Sequence, residues 1–372
     1  MATFYSDTLK SLEASGNMRK IPDADGKQCI DFSTNDYMGL GTREDLRTEF
    51  FSDPHNRTLP MSSSASRLLA SAQREHMLLE QLLSQLYGRD TLFFNSGYHA
   101  NTGIIPALAA GNAAIIADRL SHASIIDGTI LSRAQFTRFR HNDYNHLDSL
   151  LKRYSGKYDR LIVITESVFS MDGDRSDITR LVELKRRYPE VILYIDEAHA
   201  FGVLGQGGLG LVQESPLRDE VDVIVGTFGK AAASAGAFAA VSPVIKSYLV
   251  NKARSFIFST ALPPLNSAWT RFIIERMVGM ESERQHLQHL SRIMFSFMKP
   301  YGATEPSHIM PYIVGDAARA VELSNRLLEH GFKALPIRTP TVPAGTERLR
   351  FSLSAAMSEA DILGLKKVLE EL

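Results

Sequence analysis

Cysteine, tryptophan and long apolar runs are scarce in this chain of 372 residues. The single Cys29 excludes a disulfide within the chain, and its place in a short apolar pattern favours a buried thiol over a nucleophile. No apolar run approaches the roughly 20 residues that a membrane-spanning helix needs. Residues 1–7 also lack the charged and apolar regions of a secretory leader. We therefore expect a cytoplasmic protein with no membrane partner.

The chain also lacks an excess of either positive or negative charge. The chain has 41 basic and 42 acidic residues, which give a net charge of −1. Such a balance provides no basic surface for nucleic acid, so no nucleic-acid partner is expected. The 44% hydrophobic and 22% charged content is ordinary for a globular protein. Because there are no repeats and no low-complexity tracts, the chain should fold into one or two conventional domains.

Apolar runs alternate with helical patterns along the middle of the chain. Strands are predicted near residues 91–94, 114–117, 161–165, 191–195, 223–226 and 237–241. Helices are predicted at residues 74–87, 98–110, 124–132 and 178–188. This rhythm predicts an α/β fold with a mostly parallel sheet covered by helices.

Both ends of the chain show other patterns. A polar helix is predicted over residues 1–20 and a short strand over 28–32. One long helical region is predicted over 265–298, followed by short strands and helices. We therefore expect an N-terminal segment (1–45), a large α/β domain (46–262) and a smaller α+β C-terminal domain (263–372).

A lysine and an aspartate follow two predicted strands in an order that suits pyridoxal phosphate (PLP) chemistry. Asp196 and His199 end one strand, and Thr227 and Lys230 end the next. A lysine amine can form a Schiff base with the cofactor's aldehyde, and a buried aspartate can keep the pyridine nitrogen protonated. The small side chains of residues 231–237 allow a flat ligand to approach. Taken singly, each residue is as well explained by a surface lysine or a helix cap.

Other predicted strand ends carry groups that one site could use together. The strand-to-helix turn at 95–99 can cradle a phosphate with free N–H groups, and Thr227 can add a hydroxyl. The His122 ring could stack on a pyridine. Ser170 could donate to the cofactor's phenolic oxygen, and Glu166 could orient its neighbours. An ordinary turn, a core histidine and a polar turn are the alternatives for these segments.

Arginines stand near the C-terminal end of the chain. Arg348 and Arg350 alternate with apolar residues, so they should share one strand face. Together with Arg338 they could clamp a substrate carboxylate. A pair of surface arginines on an edge strand is the alternative.

Taken together, the motifs resemble those of the α-oxoamine synthases, PLP enzymes of aminotransferase fold type I. The matching segments span most of the chain and are residues 31–40, 118–124, 165–174, 196–199, 227–230 and 258–264. Within the family, residues 337–346 resemble the members of the biotin pathway. The resemblance implies PLP as cofactor, an amino acid and an acyl thioester as substrates, and a homodimer with sites at its interface. For the biotin-pathway members the substrates are L-alanine and a pimeloyl thioester, carried by coenzyme A or an acyl carrier protein.

The resemblance also implies roles for individual residues, and no metal. The implied catalytic residues are Lys230, His122, Asp196 and His199. The implied cofactor-binding residues are Gly97, Tyr98, His122, Glu166, Ser170, Asp196, His199, Thr227, Lys230 and Thr260, with Thr260 reaching the phosphate of the neighbouring subunit. The implied substrate-binding residues are Arg19, Asn35, Arg338 and Arg350.

Two segments depart from the family pattern. Residues 62–66 replace a glycine-rich segment with serine and alanine, and residues 231–233 are alanines where further glycines are common. Both replacements put side chains where glycine would allow positive φ. Three alternatives stay open: an α-oxoamine synthase with other substrates, a PLP lyase or aminotransferase of the same fold, and a cofactor-free binding protein.

Overall fold

The computed structural model describes residues 2–19, 21, 29–71 and 73–372. The described residues form two compact units. The first comprises the described parts of Met1–Tyr37 with Met171–Asp174 and Gln285–Leu372, and the second comprises Met38–Ser170 and Arg175–Arg284. The domain boundaries predicted after residues 45 and 262 stay a prediction.

Strands and helices alternate along most of the described chain. The strands are β1 Ile30–Asp31, β2 Asp90–Phe94, β3 Ala113–Asp118, β4 Gln135–Phe139, β5 Arg160–Glu166, β6 Val191–Asp196, β7 Val223–Thr227, β8 Ala237–Val241, β9 Ile309–Ile313, β10 Phe332–Lys333, β11 Leu335–Ile337 and β12 Arg348–Ser352. The helices are α1 Ala2–Ala14, α2 Glu44–Ser52, α3 Pro54–Arg57, α4 Arg74–Tyr87, α5 Gly97–Leu108, α6 Ala123–Ser132, α7 Tyr144–Tyr154, α8 Ile178–Arg187, α9 Leu211–Glu214, α10 Pro243–Lys252, α11 Arg254–Ile257, α12 Pro264–Met277, α13 Glu281–Met298, α14 Ala317–Glu329 and α15 Glu359–Glu371.

The second unit is built on a seven-stranded sheet with the order β2-β8-β7-β6-β5-β3-β4. Strands β4, β3, β5, β6 and β7 run parallel, whereas β8 is antiparallel to both β7 and β2. Every residue of β3, β7 and β8 is buried, which explains why these strands are continuous apolar runs. The predicted mostly parallel sheet is confirmed.

Helix α4 has the predicted bounds and ends at Gly88, whose φ of 66° is left-handed. Its buried face differs from the predicted one. Met77, Leu78, Leu82 and Leu86 recur at helical spacing and therefore predict an inward face, but Met77 is 52% exposed. The fully buried apolar side chains on α4 are instead Leu79 and Leu83. That prediction was wrong because Glu75, His76 and Glu80, each with a hydrogen-bond partner, occupy part of the buried face.

Two stretches were predicted incorrectly. The helical region at 265–298 is two helices, α12 and α13, with Gly279 between them. Glycine loses more backbone entropy in a helix than other residues, which favours an interruption there. Strand β4 and helix α7 were not predicted at all. Strand β4 is a partly exposed sheet edge with a mixed polar pattern, so its periodicity is weak.

The first unit contains an antiparallel sheet with the order β11-β12-β9 and a parallel pair formed by β1 and β10. With its helices, this confirms the predicted smaller α+β part. Helix α1 ends at Ala14, short of the predicted residue 20. Strand β1 covers part of the predicted strand, whose first residue, Gln28, lies outside the described residues. None of the described helices has the length and apolar character that a bilayer crossing requires.

Candidate active site

A cavity of about 160 Å³ lies in the second unit, beyond the carboxyl ends of the parallel strands. It is lined by Gly97, Tyr98, Asn101, His122, Ser124, Glu166, Asp196, Ala198, His199, Thr227 and Lys230. Glu166, Asp196 and Thr227 are the last residues of β5, β6 and β7. Because parallel strands present their carboxyl ends at one sheet edge, side chains far apart in sequence meet here.

Lys230 follows β7 in the nine-residue connection that leads to β8. Its Nζ lies 2.8 Å from Nε2 of His199, which follows β6. Thr227 closes the start of this connection, since its Oγ1 donates to the Gly236 carbonyl at 3.1 Å and accepts from the Gly229 N–H at 3.3 Å. The sheet edge therefore holds the lysine amine beside an imidazole inside the cavity.

The Asp196 carboxylate is held from two sides. Its Oδ2 accepts a 2.8 Å hydrogen bond from Nδ2 of Asn101, and its Oδ1 accepts from the Ala198 N–H at 2.9 Å. Asn101 is in turn oriented by the Tyr194 hydroxyl, which donates to its Oδ1 at 2.5 Å. Asp196 is 5% exposed and Asn101 is 1% exposed. This network fixes the orientation of a buried carboxylate that faces the cavity.

His122 and Glu166 interact at the neighbouring strand ends. The backbone N–H of His122 donates to Oε1 of Glu166 at 2.5 Å, and the ring nitrogen Nδ1 of His122 lies 2.8 Å from the Ser124 hydroxyl oxygen. Burial lowers the pKa of His122, against the opposing attraction of Asp196. Burial, reinforced by Asp196, raises the pKa of Glu166 well above its usual range. The two shifts therefore favour the neutral form of the His122 imidazole and the protonated form of the Glu166 carboxyl.

The start of helix α5 provides donors without a charged side chain. Ser96 caps the helix by accepting from the His99 N–H at 3.2 Å. The N–H groups of the first turn have no partners within the helix, and they carry the positive end of its dipole. Gly97 and Thr227 both line the cavity at this end. Such a terminus suits a phosphate group.

These residues fit PLP in chemical terms. The cavity offers an amine for the aldehyde, a held carboxylate for the ring nitrogen, an imidazole for the ring face and a helix start for the phosphate. The residues predicted to bind cofactor all line the cavity except Ser170 and Thr260. Thr260 is exposed, and its carbonyl accepts a 2.7 Å hydrogen bond from Asn95.

Sequence reasoning missed Asn101 and Ser124, although both line the cavity. Asn101 lies three residues after Tyr98 on α5, so the two share one face of the helix. That spacing could have indicated Asn101. Ser124 follows His122 by two residues in the predicted motif, and its role became visible only through its hydrogen bonds to His122 and Asn101.

Two of the predicted substrate-binding residues lie close together in the first unit. The Tyr37 hydroxyl donates to Oδ1 of Asn35 at 2.9 Å and accepts from Nη2 of Arg350 at 3.2 Å. Nη1 of Arg350 donates to the Ser352 hydroxyl at 2.6 Å. Arg350 is 7% exposed. A buried guanidinium fixed in this way has a defined direction.

The remaining arginines have different partners within the same unit. Arg338 donates to the Gly16 carbonyl, and Arg19 donates to Oγ1 of Thr341 at 3.3 Å. Arg348 pairs with Asp172 and is 5% exposed. The alternative of surface arginines on an edge strand is wrong, because β12 is the central strand of its sheet and Arg348 and Arg350 are both buried.

Comparison with known proteins identifies the family. The model for aminotransferase class I and II matches residues 27–369. The chain belongs to this family. A relative from Pasteurella multocida is 46% identical over 100% of both chains, and one from Haemophilus influenzae is 44% identical over 96% of this chain and 97% of its own. Both are provisionally named 8-amino-7-oxononanoate synthase.

Solved structures extend this comparison. Serine palmitoyltransferase from Sphingomonas wittichii is 29% identical, with a TM-score of 0.90 over 99% of this chain and 96% of its own. A structure of SPT with PLP is 27% identical, with a TM-score of 0.89 over 99% of this chain and 96% of its own. An 8-amino-7-oxononanoate synthase from Francisella tularensis is 26% identical, with a TM-score of 0.76 over 92% of this chain and 97% of its own.

The chain is therefore a PLP-dependent enzyme of the α-oxoamine synthase type, with fold type I. This confirms the resemblance drawn from the sequence motifs. It excludes the alternative of a cofactor-free binding protein.

Proposed function

We propose that the enzyme condenses L-alanine with a pimeloyl thioester to give 8-amino-7-oxononanoate, carbon dioxide and a free thiol, in biotin synthesis. The gathering of Lys230, Asp196, His122 and His199 in one cavity supports the chemistry. The choice of substrates is supported by the names of relatives that are 44–46% identical over nearly the whole chain.

Bound PLP supplies a ring that accepts the electron pair left on the amino acid's α-carbon when the proton leaves. Asp196, oriented by Asn101, would hold the proton on the ring nitrogen. Lys230 would hold the cofactor through its aldehyde carbon, and Nζ, released when the amine of L-alanine takes its place on that carbon, would accept the α-proton. His122 would cover the ring face, and His199 and Ser170 would donate to the phenolic oxygen.

Other residues hold the remaining groups. Gly97, Tyr98 and Thr227 would bind the phosphate at the start of α5, and Glu166 keeps the His122 turn in place. Thr260 of the neighbouring subunit of a homodimer would add a further phosphate contact. The substrates are bound by Arg19, Asn35, Arg338 and Arg350. The acyl group arrives on coenzyme A or on an acyl carrier protein.

Thiol release tests this proposal directly. The PLP-loaded enzyme is given pimeloyl-CoA, or a pimeloyl carrier protein, with alanine, glycine or serine in parallel. We expect thiol release that depends on alanine. Release with glycine or serine but not alanine would overturn the substrate assignment while leaving the family in place.

The Lys230→Ala variant tests the chemistry itself. It should lose the visible absorbance of the bound cofactor and at least about 10³-fold in kcat, because both the anchor and the base are removed. Lys252→Ala, at an exposed lysine that ends α10, is the matched control and should behave like the native enzyme. A Lys230→Ala variant with native rates would show that another group takes the α-proton.

A second candidate has one observation in its favour. The serine palmitoyltransferase structures align with TM-scores near 0.90, whereas the 8-amino-7-oxononanoate synthase structure aligns at 0.76. Condensation of serine with a long acyl thioester would use the same cofactor residues. Serine with palmitoyl-CoA therefore belongs in the same assay. A lyase or aminotransferase of the same fold would turn over the amino acid without releasing any thiol.

A further inference from the structure

The connection that carries Lys230 closes through a residue in a disfavoured conformation. Ala233 has a φ of 45°, in the left-handed region that L-residues with a Cβ seldom adopt. Its N–H donates to the Lys230 carbonyl at 2.9 Å, and the next N–H, of Ser234, donates to the Phe228 carbonyl at 2.9 Å. If Ala233 relaxed to an ordinary conformation, both turns around Lys230 would open.

One face of helix α12 contacts this turn through three polar side chains. The indole Nε1 of Trp269 donates to the Ala233 carbonyl at 3.1 Å. Nδ2 of Asn266 donates to Oγ of Ser234 at 2.9 Å, and Oγ1 of Thr270 lies 2.7 Å from the same oxygen. Residues spaced three and four apart share a helix face, so the three contacts form one clasp, which we call the α12 clasp.

The indole itself is fixed by aromatic packing. Phe50 of α2 packs edge-on against Trp269 with ring centroids 5.2 Å apart, and Phe272 stacks on it at 5.6 Å. Trp269 is the only tryptophan of the chain. A rigid ring holds its N–H in one direction, so the hydrogen bond to the Ala233 carbonyl costs little further ordering entropy.

We propose that the α12 clasp, through the Trp269 hydrogen bond above all, holds Ala233 in its left-handed conformation and thereby positions Lys230. The inference rests on the proposed role of Lys230 as the residue that moves the α-proton. Trp269 is a positioning residue, because it touches the turn and not the reacting atoms. Small misplacements of a reacting group lower rates strongly, which gives the clasp a catalytic consequence.

Hydrogen exchange of the apoprotein tests the conformational part. Trp269→Phe keeps the ring and removes the N–H donor. We expect faster amide exchange in residues 228–236 and unchanged exchange in β5. Ala233→Gly removes the Cβ that disfavours positive φ, so adding it to Trp269→Phe should return exchange toward the native rate. Equal exchange in the native and Trp269→Phe apoproteins would overturn the proposal.

Deuterium incorporation at the α-carbon of L-alanine, without any acyl donor, tests the consequence for Lys230. Trp269→Phe, which loses one hydrogen bond to the turn, should lower kcat for this exchange about fivefold and change KM by less than about twofold. Ala233→Gly should restore most of the loss in the double variant while changing little by itself. If the effects of Trp269→Phe and Ala233→Gly on kcat simply added in the double variant, Trp269 would act only through general packing. That result would overturn the proposal.

Two further variants separate the clasp from general stability. Phe272→Leu loosens the ring stack but removes no hydrogen bond to the turn, so it should speed exchange in residues 228–236 less than Trp269→Phe does. Asn266→Ala removes the Ser234 contact without touching the rings and should speed that exchange. It also keeps the test decisive if Trp269→Phe folds poorly.

These readouts use neither an acyl donor nor thiol release. Failure of the pimeloyl assay together with the expected exchange results would reject the pimeloyl donor and keep the positioning role. Alanine-dependent thiol release together with native exchange in the Trp269→Phe variant would keep the proposed function and reject the positioning role.

Discussion

Glu197, the residue after Asp196, is a completely buried carboxyl outside the cavity. Its two oxygens accept hydrogen bonds from the N–H groups of Leu211 and Val212 at 2.9 and 2.7 Å. Burial raises the pKa of Glu197 to about 7, although these backbone hydrogen bonds oppose the shift. A Cβ on Gly210 would lie 2.2 Å from Oε2 of Glu197, so that position requires glycine. Glu197 therefore ties the start of α9 to the end of β6.

The Glu197 carboxyl predicts a particular pH dependence of stability. Its folded-state pKa lies above the ordinary value of 4.5, so the folded state keeps the proton more tightly. The contribution is complete below about pH 4.5 and is lost as pH rises toward 7, by roughly 3 kcal/mol at most. Glu197→Gln should lower stability overall but flatten this decline. Urea unfolding at pH 5, 6, 7 and 8 measures it.

An exposed glutamate provides the control for that experiment. Glu183→Gln on α8 should leave the pH slope as in the native protein, because its side chain is half exposed. A Glu197→Gln slope equal to the native one would contradict the raised pKa.

At the level of single elements, helix α4 shows how charge can mislead a pattern. Glu80 is buried because its Oε1 accepts from Arg67 and from the Phe93 N–H, both at 2.9 Å. Glu75 is buried beside His55 and Arg271. A periodicity argument that places every ionisable residue outward therefore selects the wrong face. The bounds of α4 were predictable because Gly88 ends it locally.

Two alanine substitutions distinguish the faces of α4. Leu79→Ala removes a fully buried side chain and should cost about 2–5 kcal/mol of unfolding free energy. Met77→Ala, in the same helix but half exposed, should stay within about 0.5 kcal/mol of the native protein. Urea titration of both variants gives the comparison. A larger loss for Met77→Ala would restore the face that the sequence pattern predicted.

At the scale of the whole molecule, Thr260 is the residue that we propose reaches the site of the neighbouring subunit in a homodimer. Its backbone is anchored, by Asn95 at its carbonyl and by a bridge to Ser66, while the residue itself is exposed. An exposed hydroxyl on a fixed backbone can serve a neighbouring subunit's phosphate. If the enzyme is this homodimer, sedimentation should give a molecular mass twice the chain mass of 41.3 kDa.

A hybrid dimer tests whether Thr260 acts across the interface. Thr260→Ala should weaken PLP binding about tenfold, whereas Thr260→Ser, which keeps the hydroxyl, should not. When Thr260→Ala and Lys230→Ala subunits are combined, one site has both an intact lysine and the partner's intact threonine. That site should bind PLP with native affinity. If Thr260 acted within its own subunit, no site of the hybrid would recover.

What the sequence determined by itself was the set of strand ends and the chemistry placed on them. Strand periodicity is local, and parallel strands bring their carboxyl ends to one edge. Lys230, Asp196, His122 and His199 were therefore predictable as one group. The family resemblance added PLP and the fold, and both were confirmed.

Only the tertiary structure decided the contacts that orient these groups. Asn101 reaches Asp196 across 95 residues of sequence, and Trp269 reaches Ala233 across 36. The central place of β12, which buries Arg348 and Arg350, likewise depends on its pairing with β9 and β11. Such contacts depend on how whole elements pack, because a side chain's partner is set by the position of another element and not by its own neighbours in sequence.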